Sequence, residues 1–154
     1  MRISPDDCAR EVLEVVPLIM RAIRTDMRSH RTPDLSVPQF RTLAFIDRNA
    51  GASLSDAADY IGLTLPSMSK IVDGLVARRL VIRQTHRADR RRMTLALTAR
   101  GQARLQSARE AAQACLASSL ASLSDIERAA IAEAMQAMRP IFTPRQEAGI
   151  RMAR

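Results

Sequence analysis

The feature that most constrains this chain is a change of period at Leu80. Between Thr64 and Leu75 the apolar residues Met68, Ile71, Val72 and Leu75 recur at helical spacing. The chain then reads LVIRQT, β-branched and compact, and a little later MTLAL, in which Met93, Leu95 and Leu97 alternate with Thr94 and Ala96. A helix followed at once by two short strands predicts a hairpin folded back on a helical core. The segment from Thr85 into the second strand carries five basic residues, counting His86, around a single acid, Asp89. A basic tip therefore joins the two strands.

The residues before this switch are punctuated by helix caps. Ser36 with Gln39 and Ser53 with Asp56 have the spacing of a capping box, and Thr64 precedes a helix whose first turn tolerates Pro66. Phe40, Leu43, Ala44 and Ile46 form the buried stripe of one helix, and Ala57, Ala58 and Ile61 that of a shorter one. The tight turn IGL separates the shorter helix from the helix begun by Thr64, the pattern of a helix-turn-helix. With the hairpin it predicts a winged helix. Flanking it are a helix from about Asp6 to Ser29, interrupted by Pro17, a long helix after Thr98, and a last helix opened by the box Ser124 and Glu127. The fold class is mainly α with a small β-hairpin wing. Residues 1–34 form an N-terminal dimerisation helix, residues 35–98 the winged helix-turn-helix, and residues 99–154 C-terminal dimerisation helices, all parts of one compact chain. The outer helices are more apolar than a recognition module of about 75 residues could use, which is the reason to expect a homodimer.

Charge is unevenly placed. The 154 residues carry a net charge of +8, yet residues 1–35 sum to zero while residues 78–92 hold seven Arg and one Asp. A field concentrated in this way attracts phosphate or an acidic surface. Acids at Asp6 and Asp7 precede any apolar run, and no apolar run approaches the roughly 20 residues of a membrane span, so a cytoplasmic chain without membrane contact is expected. No metal-ligand spacing, phosphate-cradling glycine loop or nucleophile–base set stands out, so neither a cofactor nor enzymatic activity is expected.

A helix of this kind fits the major groove of double-stranded DNA. With Pro66 in the first turn of this recognition helix, its N-terminal amides and Ser67 would approach phosphate, and Ser69 and Lys70 would reach base edges or backbone oxygens. At the hairpin tip, one of Arg87, Arg90, Arg91 and Arg92 can enter the minor groove while the others hold phosphates. Asp89 either fixes one of these arginines through a bidentate pair or only balances charge locally.

The blocks LSVPQFRTLAFI, GLTLPSMSKIVDGLVARRLVIRQ and ADRRRMTLALTARGQARL resemble, in this order, the MarR family of bacterial transcription regulators, over about residues 8–142. The resemblance implies a homodimeric winged-helix repressor released from a pseudo-palindromic operator by a small aromatic or phenolic ligand or by cysteine oxidation. It assigns Arg91 to minor-groove insertion and Asp89 to its support. Three positions depart from the family pattern. Arg79 stands where glycine is common, which requires a different turn or a strained φ; Pro66 sits one place late; and Gly74 replaces a common basic residue.

The resemblance places the ligand pocket between the dimer helices and the DNA-binding lobe, with Met20, Arg24, Met27, Arg28, His30, Phe40 and Leu43 as its candidate wall. Arg24 and Arg28 would equally suit a solvated helix face, and His30 a helix C-terminus. Cys8 and Cys115 offer the alternative of a thiol-based oxidation sensor, with Cys115, set among alanines, also reading as an inert helix residue. A third reading is a helical interaction module whose basic hairpin binds an acidic protein.

Overall fold

A computed structural model of the chain describes residues 3–29, 35–85 and 93–143, apart from the side chains of 26–29. Its elements are α1 (Pro5–Ser29), α2 (Val37–Arg48), α3 (Leu54–Ile61), α4 (Leu65–Ala77), β1 (Val81–Thr85), β2 (Met93–Leu97), α5 (Ala99–Leu120) and α6 (Asp125–Phe142). Two units divide them, Met1–Leu116 and Ala117–Arg154, with the boundary inside α5.

The helix starts lie where the capping residues put them. Ser36 and Gln39, Ser53 and Asp56, and Ser124 and Glu127 all form reciprocal capping boxes, while Thr64 accepts from the Ser67 amide. Each satisfies amides that a helix N-terminus otherwise leaves unpaired. One cap has no counterpart in the periodicity: the Asp7 amide donates to Ser4 Oγ at 3.1 Å, so α1 begins at Pro5. The helix then continues through Pro17.

In the first unit, α2, α3, α4, the hairpin and the start of α5 enclose the core. Leu43, Met68, Leu75, Val72, Leu80, Val81 and Leu105 are at most 2% exposed. Strands β1 and β2 pair antiparallel, from Val81 opposite Leu97 to Thr85 opposite Met93. The expected alternation of β2 holds only in part. Leu95 is buried, but Met93 is exposed and Thr94 buried. Thr94 Oγ1 donates to the Gln84 carbonyl, and the Leu95 amide on the far edge donates to Ala52 at 2.8 Å. Strand β2 therefore lies between β1 and the segment before α3, and is covered on more than one side.

The switch from α4 to β1 is a Schellman turn. The Leu80 amide donates to Leu75 and the Arg79 amide to Val76, with Arg79 at φ +58°. Of the two possibilities for this turn, the structure takes the strained one: Arg79 itself occupies the left-handed region that favours glycine. Replacing Arg79 with Gly should therefore stabilise the protein by about 1 kcal/mol, the scale of the left-handed penalty for a residue with Cβ. Urea unfolding at fixed protein concentration checks this, and an unchanged or lower midpoint would contradict it.

In the second unit, α6 has no buried residue; Ile126, Ile141 and Phe142 are more than 70% exposed. Arg128 donates to the Leu123 carbonyl and pairs with Asp125 at the start of α6. At its end, the Thr143 hydroxyl and amide both donate to Arg139, closing a last turn that contains Pro140.

Candidate nucleic-acid interface

Helix α4 is held by one face and free on the other. Met68, Val72 and Leu75, spaced at four and three, are fully buried. Pro66, Ser67 and Lys70 are exposed, and Ser69 is half-buried. The first turn is shaped by Thr64, whose Oγ1 accepts from the Ser67 amide at 3.4 Å and donates to Ser67 Oγ at 2.9 Å. A hydroxyl that accepts in this way keeps its own proton for a partner outside the protein. A cation at Lys70, short hydroxyls and a helix N-terminus thus share one solvent-facing surface, which suits an anionic, close-fitting partner.

Ser69 has a second tie that the sequence did not suggest. Its Oγ lies 3.4 Å from Asp73 Oδ2, and Asp73 Oδ1 accepts from Arg83 Nη2 of β1 at 2.6 Å. Asp73 and Arg83 therefore fasten the exposed face of α4 to the wing. The Ser69–Asp73 spacing is visible in the sequence, but Arg83 comes into range only through the packing of β1 against α4. Thr85 and Met93 are the last described pair of the wing; Arg87, Asp89, Arg90, Arg91 and Arg92 lie outside the described residues.

Residues 34–92 match the model of the MarR family. This segment carries the sequence pattern of MarR-family DNA-binding regulators, set on a winged helix-turn-helix. Its MarR-type fold extends over most of the chain. RV1404 from Mycobacterium tuberculosis shares 23% identity at a TM-score of 0.75, over 92% of this chain and 95% of that one. Wild-type MarR from E. coli in its apo form shares 20% at 0.71, over 89% and 98%. CouR from Rhodococcus jostii RHA1, bound to p-coumaroyl-CoA, shares 21% at 0.67, over 94% and 97%. No curated protein matches the sequence.

Beside the MarR-family core lies a cavity of about 370 Å³. Phe40, Arg41, Ala44, Phe45 and Arg48 of α2 line it with Tyr60 of α3 and Arg109 of α5. Phe45 and Tyr60 stack with ring centroids 4.7 Å apart, and Arg109 pairs with Asp47 at 3.0 Å. Of the pocket residues expected from sequence, Phe40 is in this wall, while Leu43 is fully buried in the core. Met20 is half-buried, and the exposed Arg24 donates to the Met20 carbonyl. Met27, Arg28 and His30 fall outside the described side chains. Arg41, Ala44 and Arg48 share a helix face by their spacing, a signal present in the sequence. Tyr60 and Arg109 join them only through tertiary packing.

Cys8 is exposed and Cys115 half-buried. Among the described residues no group of three or more His, Cys, Asp or Glu could hold a metal ion, and no helix is long and apolar enough to cross a membrane.

Proposed function

We propose that the protein is a homodimeric transcriptional repressor that reads a pseudo-palindromic duplex and leaves it when an aromatic anion fills the cavity beside Phe40. The observation that carries this reading is the two-faced α4, anchored by Met68, Val72 and Leu75 while Ser67 and Lys70 face solvent. Homodimerisation is supported separately in each unit. Leu13 and Leu18 of α1 are more than 60% exposed, as are Ile126 and Ile141 of α6, and a second copy would remove such surface from water. Two copies related by a two-fold axis would set their recognition helices about one DNA turn apart or a multiple of it.

The cavity supports the choice of ligand. Stacked rings offer a flat apolar wall, and the guanidinium groups of Arg41, Arg48 and Arg109 offer charge and paired donors to a carboxylate or phenolate. The p-coumaroyl-CoA bound to CouR has the same combination of ring and negative charge. Ligand binding shifts the dimer only if the released conformation binds it more tightly.

The test begins with selection of bound duplexes from a random pool. A screen of aromatic carboxylates and phenols then seeks release of the selected duplex. Arg48→Gln should raise the concentration needed for half-release about tenfold, which corresponds to roughly 1.4 kcal/mol, with ligand-free DNA affinity unchanged. No preferred duplex would defeat the repressor reading; equal release of variant and wild type would defeat the ligand site.

A further inference from the structure

A second basic recess lies in the first unit, on the far side of the turn that closes α4. Its volume is about 330 Å³, and it is lined by Arg78, Leu80, Arg100, Ala103, Arg104 and Ser107. We infer that this recess is a binding site for a phosphate group, distinct from the cavity beside Phe40.

The helix geometry concentrates positive charge here. Arg100, Arg104 and Ser107 stand at i, i+4 and i+7 on α5 and so share one face. Arg78 is the C-cap residue of α4 and faces them across the Schellman turn. The lining holds three guanidinium groups and no carboxylate. Arg100 also sits in the first turn of α5, which contains no acidic residue. A helix N-terminus carries positive partial charge, so an arginine there is at the unfavourable end of the dipole. A bound anion attracts both the guanidinium and the helix end and so offsets that repulsion. Arg78 and Arg104 are half-buried and each also interacts within the chain, which limits their freedom before any ligand arrives.

The chemistry selects phosphate over a lone carboxylate. Arginine presents paired donors in a fixed plane, several of them can converge on the oxygens of one phosphate, and Ser107 adds a hydroxyl. That phosphate has two sources: a soluble phosphate ester, or the DNA backbone. Arg78 is eight residues beyond Lys70, about 12 Å along the helix, so a backbone phosphate here would lie outside the groove that Lys70 faces.

Calorimetric titration of the full-length protein with pyrophosphate at low salt tests the site. The double variant Arg100→Gln/Arg104→Gln should bind at least tenfold more weakly than wild type. Ser107→Asp, which adds a carboxylate at an exposed position, should do the same, whereas Arg10→Gln on α1, outside both recesses, should not. The slope of duplex affinity against salt separates the sources. A slope lowered by about one per lost phosphate contact in the double variant assigns the recess to the DNA backbone. An unchanged slope with lost pyrophosphate binding assigns it to a soluble ester. Pyrophosphate binding that is absent in wild type, or equal in all variants, together with an unchanged slope overturns the site.

Discussion

Alanine at Gly101 is expected to destabilise the protein by about 3 kcal/mol, the upper range for forcing a group into a filled space. A Cβ at this position would stand 2.0 Å from the Leu80 carbonyl oxygen and 2.9 Å from its carbon. That carbonyl cannot easily yield. It accepts from the Thr98 amide at 3.1 Å, and the Leu80 amide is held by Leu75 in the Schellman turn. The Leu80 side chain is buried in the core. Moving α5 away is no easier, because Thr98 Oγ1 donates to the Arg79 carbonyl at 2.7 Å and accepts from the Gly101 amide at 2.9 Å. One residue of clearance thus lets α5 start directly beside the wing. Against a total stability of about 5–15 kcal/mol this is a large loss, and the melting temperature should fall by roughly 10 °C. Gly74→Ala provides the control. A Cβ there meets nothing closer than Gln39 Nε2 at 3.9 Å, so the same change should stabilise α4 by up to about 1 kcal/mol. Melting curves that move the same way for both variants would refute the close-contact argument.

The second large effect is expected at the wing tip. Arg91→Ala should weaken binding of the selected duplex roughly 10- to 100-fold, the range of 1–3 kcal/mol for a well-placed contact to a base. In a homodimer both wings lose the side chain, which favours the upper end of that range. Circular dichroism and the dimer state should be unchanged, since the hairpin is anchored instead by Val81 and Leu95 in the core. Asp89→Asn should lose part of the same affinity if the carboxylate orients Arg91, and little further loss when added to Arg91→Ala. Fluorescence anisotropy across a salt series reads both variants. Wild-type affinity in Arg91→Ala would remove this residue from the interface.

The parts of the fold that were legible in the sequence are those set by neighbours along the chain. Capping residues act over three positions, so Ser36, Ser53, Thr64, Thr98 and Ser124 could be identified as helix starts from spacing alone. The buried stripe Met68, Val72 and Leu75 follows from the helical period. Strand β2 was less legible, because the burial of Thr94 depends on what lies across the strand. The phosphate recess was illegible for the same reason: Arg78 and Arg100 belong to different helices separated by the whole wing.

Sequence by itself determined the order of elements, the exposed polar face of α4 and the place where helix changes to strand. Only the tertiary structure decided that Arg79 adopts positive φ, that Gly101 serves as a point of contact with Leu80, and that Asp73 reaches Arg83. It also decided that Arg41, Arg48 and Arg109 surround one cavity while Arg78, Arg100 and Arg104 surround another. Caps and periodicity are local properties, written within a few residues. Which guanidinium groups converge, and which glycine must lack a side chain, depend on the separation of distant backbones, and that is settled only when the core closes.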